Sequence, residues 1–251
     1  MLDTVNNDLL FDKPVSYAGK VNFNAATQNG YLTNENYKTL RTNLFFCGSD
    51  IKTIVLTSAR ENEGKSTVAS ELAKSLAEAG KRTLFLDADM RKSVLMRHSA
   101  APRSFCGLSE YLSGQAEISN VLYNTQIPDF DVIFSGRFPP NPVELLGSDR
   151  FASLIEKLKG IYDYVIIDSP PLGMIIDAAV IASHCDGAIM VITPGKIPYT
   201  ECLEVKEQLT KSGCRILGAI LNDIYAKRTK YYKKYYRSRE YSQDAKKIKY
   251  R

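Results

Sequence analysis

Histidine is nearly missing from this 251-residue chain. Only His98 and His184 occur, which excludes a mechanism built on several imidazoles. Cysteine is scarce and scattered: Cys47, Cys106, Cys185, Cys202 and Cys214 are odd in number and form no CxxC pair. That argues against a disulfide framework or a zinc site and fits a reducing cytosol. Long hydrophobic runs are also lacking, since the apolar stretches around Ile189–Ile197 and Leu172–Ile176 fall far short of the roughly 18 residues of a membrane span. The start, Met1-Leu2-Asp3-Thr4, has neither the basic nor the apolar region of a secretory signal. A soluble protein is expected. With 44% hydrophobic and 24% charged residues, the composition is globular and the length suits one large α/β domain.

The net charge of +5 is unevenly placed. Residues 225–251 carry eleven Lys and Arg against Glu240 and Asp244, a net of +9, which leaves −4 for the other 224 residues. A mildly acidic body with a basic end does not read as a nucleic-acid binder. The same end holds seven of the fifteen tyrosines: Tyr225, Tyr231, Tyr232, Tyr235, Tyr236, Tyr241 and Tyr250. It contains no Leu, Val or Phe to build a core, so 225–251 is expected to be a flexible tail.

Residues 1–33 are polar, Asn-rich and without clear periodicity, and are expected to form a loosely ordered arm. From Asn34, a plausible N-cap, the pattern turns helical over about 34–46, with Tyr37, Leu40, Leu44 and Phe45 on one face. Strands are then predicted at Ile51–Ser58, Thr83–Asp87, Asp131–Phe134, Tyr164–Asp168, Gly187–Thr193 and Arg215–Leu221. Between them fall helices at Lys65–Ala79, Leu108–Leu112, Pro142–Lys159, Asp177–His184 and Thr200–Lys211. Short apolar strands alternating with helices imply a mostly parallel sheet covered on both faces, with ligands at the carboxyl ends of its strands.

After the first of these strands comes Ala59-Arg60-Glu61-Asn62-Glu63-Gly64-Lys65-Ser66-Thr67, a phosphate-loop pattern with Ala59 in place of the first Gly. A turn between strand and helix points backbone N–H groups inward, and the helix N-terminus adds partial positive charge. Lys65 is placed to reach the β- and γ-phosphates, Ser66 to hold Mg²⁺, and Thr67 to face the α-phosphate. Asn62 stands where Gly is usual and is the next best residue at positive φ. Glu61 and Glu63 put negative charge beside a polyphosphate, which is unfavourable unless both side chains point outward. Two further apolar strands end in carboxylates, Asp87-Ala88-Asp89 and Asp168-Ser169-Pro170-Pro171. Carboxylates at that edge suit a hard cation that keeps several waters.

Taken together, the phosphate loop, the DxDxR of Asp87, Asp89 and Arg91, the IIDSPP strand end, the PPNPxELL segment at Pro139–Leu146 and the terminal tyrosine cluster resemble the bacterial tyrosine kinases. The likeness covers about residues 31–251 and points to the stand-alone cytoplasmic type that controls capsular or exopolysaccharide synthesis. It implies a P-loop NTPase fold over 34–224, related to the MinD and ParA ATPases, with ATP/ADP and Mg²⁺ as ligands. Asp87 would be the base for the tyrosine hydroxyl, while Ser66, Asp87, Asp89 and Asp168 would surround the metal. The nucleotide would be bound by Asn62, Glu63, Gly64, Lys65, Ser66 and Thr67, with Asn222 near the adenine. The segment Glu35-x-x-Lys38-x-x-Arg41 resembles the family's oligomerisation helix, with Lys38 replacing an Arg and so losing bidentate pairing. The implied partners are other copies of the chain in a ring, an octamer being one size, a transmembrane polysaccharide co-polymerase adaptor as activator, and a cognate tyrosine phosphatase. An adaptor would recruit this cytoplasmic protein to the inner face of the plasma membrane. The acceptors would be the tail tyrosines.

The rival is a switch ATPase of the same superfamily, which carries a second lysine early in its loop where this chain has Arg60. A polybasic membrane adaptor and a single-strand nucleic-acid binder leave the strand-end motifs unexplained. Other features read as structural: Cys47, Cys185 and Cys202 as small buried hydrophobes, His184 as a helix C-terminal cap, and Tyr162 and Tyr164 as core or edge aromatics. Arg137 lies in a loop, Ser135–Pro139, expected to approach the site.

Overall fold

The computed structural model describes residues 9–10, 13–14, 16–23, 31–92 and 105–223. The seven tail tyrosines predicted as acceptors lie outside them, as does His98. Strands β1 (Leu9–Leu10) and β2 (Lys13–Pro14) pair antiparallel as a small ribbon. The remaining strands are β3 (Gly19–Val21), β4 (Thr53–Ser58), β5 (Thr83–Asp87), β6 (Leu122–Thr125), β7 (Phe130–Ile133), β8 (Tyr164–Asp168), β9 (Gly187–Ile192) and β10 (Ile216–Leu221). They form one sheet of eight in the order β10-β9-β4-β8-β5-β7-β6-β3. From β10 to β7 every pairing is parallel, so the carboxyl ends of those strands share one edge. Strand β6 reverses against β7, and β3 runs with β6.

The helices are α1 (Tyr31–Phe45), α2 (Lys65–Ala77), α3 (Leu108–Leu112), α4 (Pro142–Leu146), α5 (Asp149–Ile161), α6 (Asp177–Ala182) and α7 (Tyr199–Lys211). Alternate strand residues face opposite sides. Val55, Leu84, Leu86, Val165 and Ile167 join a core with α3 to α7; Ile54, Leu56, Phe85 and Ile166 join a second core with α1 and α2. The interior strands are therefore buried on both faces, as their continuous apolar runs require. The two edge strands are less covered: Leu221 of β10 is 54% exposed, and Gly19 and Lys20 of β3 are exposed as well.

Several boundaries differ from the sequence expectation. Helix α1 begins at Tyr31, ahead of the proposed cap Asn34. The stretch expected as one helix over 142–159 is two, because Gly147 intervenes and the Ser148 hydroxyl accepts the Phe151 N–H as a new N-cap. Strand β6 was not anticipated; with Asn124 inside it and only four residues, it carries little strand signal. Part of the arm expected to be loosely ordered is built into the sheet. Beside β3, the Tyr17 hydroxyl donates to Asp131 Oδ2 at 3.1 Å, and Phe23 and Gln126 exchange two hydrogen bonds of 2.7 and 2.8 Å. The Phe23 ring meets Phe130 edge-on at 5.0 Å. Asp131 is buried and also accepts from Tyr162 Oη at 2.8 Å and Asn124 Nδ2 at 3.0 Å, so its charge is well solvated by donors.

All five thiols are free. Cys47, Cys185 and Cys202 prove half-buried against the cores, and Cys214 is the buried one. Burial pushes the Cys214 thiol up to about 11, with Asp186 adding to it, so a nucleophilic thiolate is disfavoured there. Among the described residues no helix is long and apolar enough to cross a membrane.

Candidate active site

The tip of β4 feeds the phosphate loop, which feeds α2. Two loop residues have left-handed backbone, Asn62 at φ 60° and Gly64 at φ 78°, as the Asn62 reading anticipated. At Gly64 a Cβ would stand 2.1 Å from Asn222 Nδ2, so that side chain would have to shift, and the left-handed torsion itself favours glycine. The cleft, of about 210 Å³, is lined by residues 60–67 together with Ser58, Asp89, Arg91, Lys92, Pro170, Pro171 and Ile175. Asn62, Glu63, Gly64, Lys65, Ser66 and Thr67 thus all border one cavity.

Asp87 and Asp168 are direct partners in the β5–β8 register. Both are almost wholly buried. Parallel neighbours lie under 5 Å apart across a ladder, so two carboxylates stand side by side at adjacent strand tips. The Lys65 ammonium bonds Asp168 Oδ1 at 2.5 Å and sits 3.3 Å from the Ser66 hydroxyl. Such a charge-assisted bond in a buried setting fixes the lysine rotamer over the aspartate pair. Asp87 Oδ1 accepts the Asp89 N–H at 3.1 Å, turning the DxD segment back towards the strand tip. Asp89 in turn accepts from the Arg91 and Lys92 N–H groups at 3.2 and 2.9 Å. Burial raises the Asp89 carboxyl above its ordinary value, against the lowering influence of Lys65.

Arg91 anchors this segment to the far wall. Its Nε and Nη2 meet Asp177 Oδ2 and Oδ1 at 2.8 and 3.1 Å, a bidentate pair with a carboxylate only 1% exposed at the start of α6. Lys92 pairs with Glu61 at 2.5 Å, and the Glu61 side chain is 40% exposed, so this charge is both countered and solvated. Glu63 does not point outward. It is 3% exposed, and its carboxylate accepts the Arg60 N–H at 2.7 Å and the Thr193 N–H at 3.0 Å. Two backbone donors replace the water that an outward side chain would have had.

Asn222 lies behind the loop rather than among the cleft-lining residues, and its Nδ2 donates to the Glu63 carbonyl at 2.8 Å. Arg137 is also away from the cleft wall; its N–H donates to buried Glu110 while its side chain is 80% exposed. His184 closes α6 through its N–H to the Ile181 carbonyl and packs edge-on to Phe151. On α1 the predicted trio separates. Glu35 and Lys38 pair on the exposed surface at 2.8 Å, whereas Arg41 turns inward and donates to the Ser75 carbonyl of α2 at 2.7 Å. Sequence reading missed Glu201 of α7, which grips the Arg60 guanidinium with both carboxylate oxygens from 141 residues away.

Among the described residues no three His, Cys, Asp or Glu side chains gather as a ready-made metal site. The set expected to surround Mg²⁺ includes three carboxylates, Asp87, Asp89 and Asp168, and they do not form such a group. The donors present are all oxygen: Ser66, Asp87, Asp89 and Asp168.

A phosphate loop after an interior parallel strand, with paired aspartates at the neighbouring tips, defines a P-loop nucleotide-binding α/β protein. The family model described as an AAA domain matches residues 51–200. The tyrosine-protein kinase CpsD of Streptococcus agalactiae is 45% identical over 192 residues, which is 76% of this chain and 84% of the relative. The crystal structure of the chimerical protein CapA2B2 superposes with a TM-score of 0.73 at 32% identity, covering 82% of this chain and 93% of that one. A more distant fold relative is MinD from Pyrococcus horikoshii, solved with Mg-ADP, at a TM-score of 0.58 and 28% identity over 68% of this chain and 70% of that one. This chain belongs to the bacterial tyrosine-protein kinases.

Proposed function

We propose that the chain is an ATP- and Mg²⁺-dependent tyrosine autokinase whose acceptors are its own tail tyrosines, Tyr225, Tyr231, Tyr232, Tyr235, Tyr236, Tyr241 and Tyr250. The observation that carries the reading is the pairing of Asp87 with Asp168 beneath Lys65, on the edge where the phosphate loop opens. A phenol has a pKa near 10, so almost none is ionised at neutral pH and a base is needed. Asp87 accepts the phenolic proton as the tyrosine oxygen bonds the γ-phosphorus; the bond to the bridging oxygen breaks and ADP leaves. Lys65 exchanges Asp168 for the phosphate oxygens and carries their charge through the transfer. Mg²⁺ held by Ser66, Asp89 and Asp168 would supply further neutralisation of the phosphates.

The tail's net +9 draws it to an acidic body and raises the local concentration of tyrosine. In a ring, each tail enters the site of the next copy, a heterologous contact that closes. The exposed Glu35–Lys38 face of α1 supports a surface role for that helix, with Arg41 tying it to α2. Each phosphotyrosine adds about −1.5 to −2, so five or six cancel the tail's charge and release it. The cycle would regulate capsular or exopolysaccharide synthesis, with a membrane adaptor as activator and a phosphatase to reset it.

The switch-ATPase reading is weaker. Arg60 stands where those proteins carry their second lysine, and it is held within the chain by Glu201. Incubation with γ-labelled ATP, Mg²⁺ and the adaptor's cytoplasmic segment separates the two readings. Label on protein tyrosine supports the kinase, and free phosphate alone supports the ATPase.

A further inference from the structure

We infer that Glu63 is a positioning residue of the nucleotide site, setting the phosphate loop from its outer side; this rests on the nucleotide reading of the cleft. A carboxylate inside a phosphate loop would be expected to weaken anion binding. Here its charge is spent on two backbone donors that belong to different parts of the chain. Arg60 N–H lies on the incoming limb of the loop, and Thr193 N–H lies just past the tip of β9. The carboxylate therefore fastens the loop's first limb to a neighbouring strand end.

The main chain of the same residue is fixed as well. Asn222, just past β10, donates to the Glu63 carbonyl. A trans peptide points its C=O and the following N–H in opposite directions. Holding the carbonyl towards Asn222 therefore directs the Gly64 N–H away from Asn222, which lies behind the loop. Glu63 also sits between two left-handed residues, Asn62 and Gly64. Asn tolerates positive φ better than most residues but is less at ease there than Gly, so added constraint helps to hold it. Four bonds hold Glu63 between them, the fourth a long one of 3.5 Å from the Thr193 hydroxyl to its carbonyl, and they keep the loop from relaxing around Asn62. The second link between the loop and the β9–α7 connection, Arg60 to Glu201, is more exposed and contributes less.

The test compares E63A, E63Q and E201Q with the parent protein, by titration with a fluorescent ADP analogue in Mg²⁺, by KM and kcat for ATP, and by thermal unfolding. Outer partners that orient metal ligands contribute about 10–100-fold, and a carboxylate that orients a phosphate loop is assigned the same scale. E63A should therefore weaken nucleotide binding and raise KM by roughly tenfold or more, with kcat at saturation changed by less than about threefold. E63Q keeps one carbonyl acceptor and should recover part of the loss, and it carries the test if E63A does not fold. E201Q should stay within about twofold. Unchanged affinity in E63A, or in E63Q where E63A does not fold, would overturn the inference, as would a fall in melting temperature with KM untouched. Failure of the parent protein to bind the analogue would overturn the nucleotide reading itself.

Discussion

Replacing Lys65 with Ala should do more than remove a phosphate contact. Lys65 and Asp168 are 7% and 2% exposed at the side chain, and their atoms are 2.5 Å apart. Asp87 is the register partner of Asp168 on the neighbouring strand, so a second buried carboxylate lies beside the first. Removing one partner of a buried pair costs about 3–5 kcal/mol, because the remaining charge is left without water or counter-ion. In a chain of this size each kcal/mol shifts the melting temperature by about 2–4 °C, so K65A should melt about 6–20 °C below the parent. The assay is thermal unfolding at neutral pH without nucleotide, which separates this effect from lost phosphate binding. Adding D168N to K65A removes the orphaned charge and should restore most of the loss. A K65A melting temperature within about 2 °C of the parent would refute the reasoning, as would a double variant no more stable than K65A.

Three further outcomes follow from the same geometry. Asp89 holds its proton to a higher pH than an ordinary carboxyl, mainly through burial. Its protonation therefore stabilises the metal-free fold as pH falls, so without Mg²⁺ the melting temperature of the parent should rise relative to that of D89N as the pH is lowered from 7 towards about 4. G64A forces a Cβ against Asn222 at φ 78° and should abolish binding of a fluorescent nucleotide, whereas an alanine at exposed Gly80, just beyond the far end of α2, should not. R91A strips Asp177 of a bidentate partner and should lower stability by about 2–3 kcal/mol after allowance for the partly exposed arginine, a fall in melting temperature of about 4–12 °C, with D177N largely cancelling the loss.

Strands whose apolar runs end abruptly in a carboxylate were legible to the residue. Thr83–Asp87 and Tyr164–Asp168 have the bounds that the sequence suggested, because burial on both faces demands continuous β-branched and aromatic runs. The phosphate loop was legible for the same local reason, down to positive φ at Asn62. What escaped was whatever depends on distant partners. Nothing near Glu63 announces Thr193, 130 residues on, so its buried orientation could not be read from spacing. The adjacency of Asp87 and Asp168 is a matter of strand order, which local periodicity does not encode. The break between α4 and α5 did have a signal, Gly147 followed by the capping Ser148, that a single apolar pattern over 142–159 obscured. Strand β3 is too short to have one.

The central claim is that this fold passes a phosphoryl group to phenols on its own basic end. Phosphotyrosine mapping by mass spectrometry, after incubation with ATP, Mg²⁺ and the activating adaptor segment, tests it most directly. The account predicts phosphate on several of Tyr225, Tyr231, Tyr232, Tyr235, Tyr236, Tyr241 and Tyr250, and none on buried Tyr162. Complete ATP turnover with every one of those tail residues unmodified would contradict it.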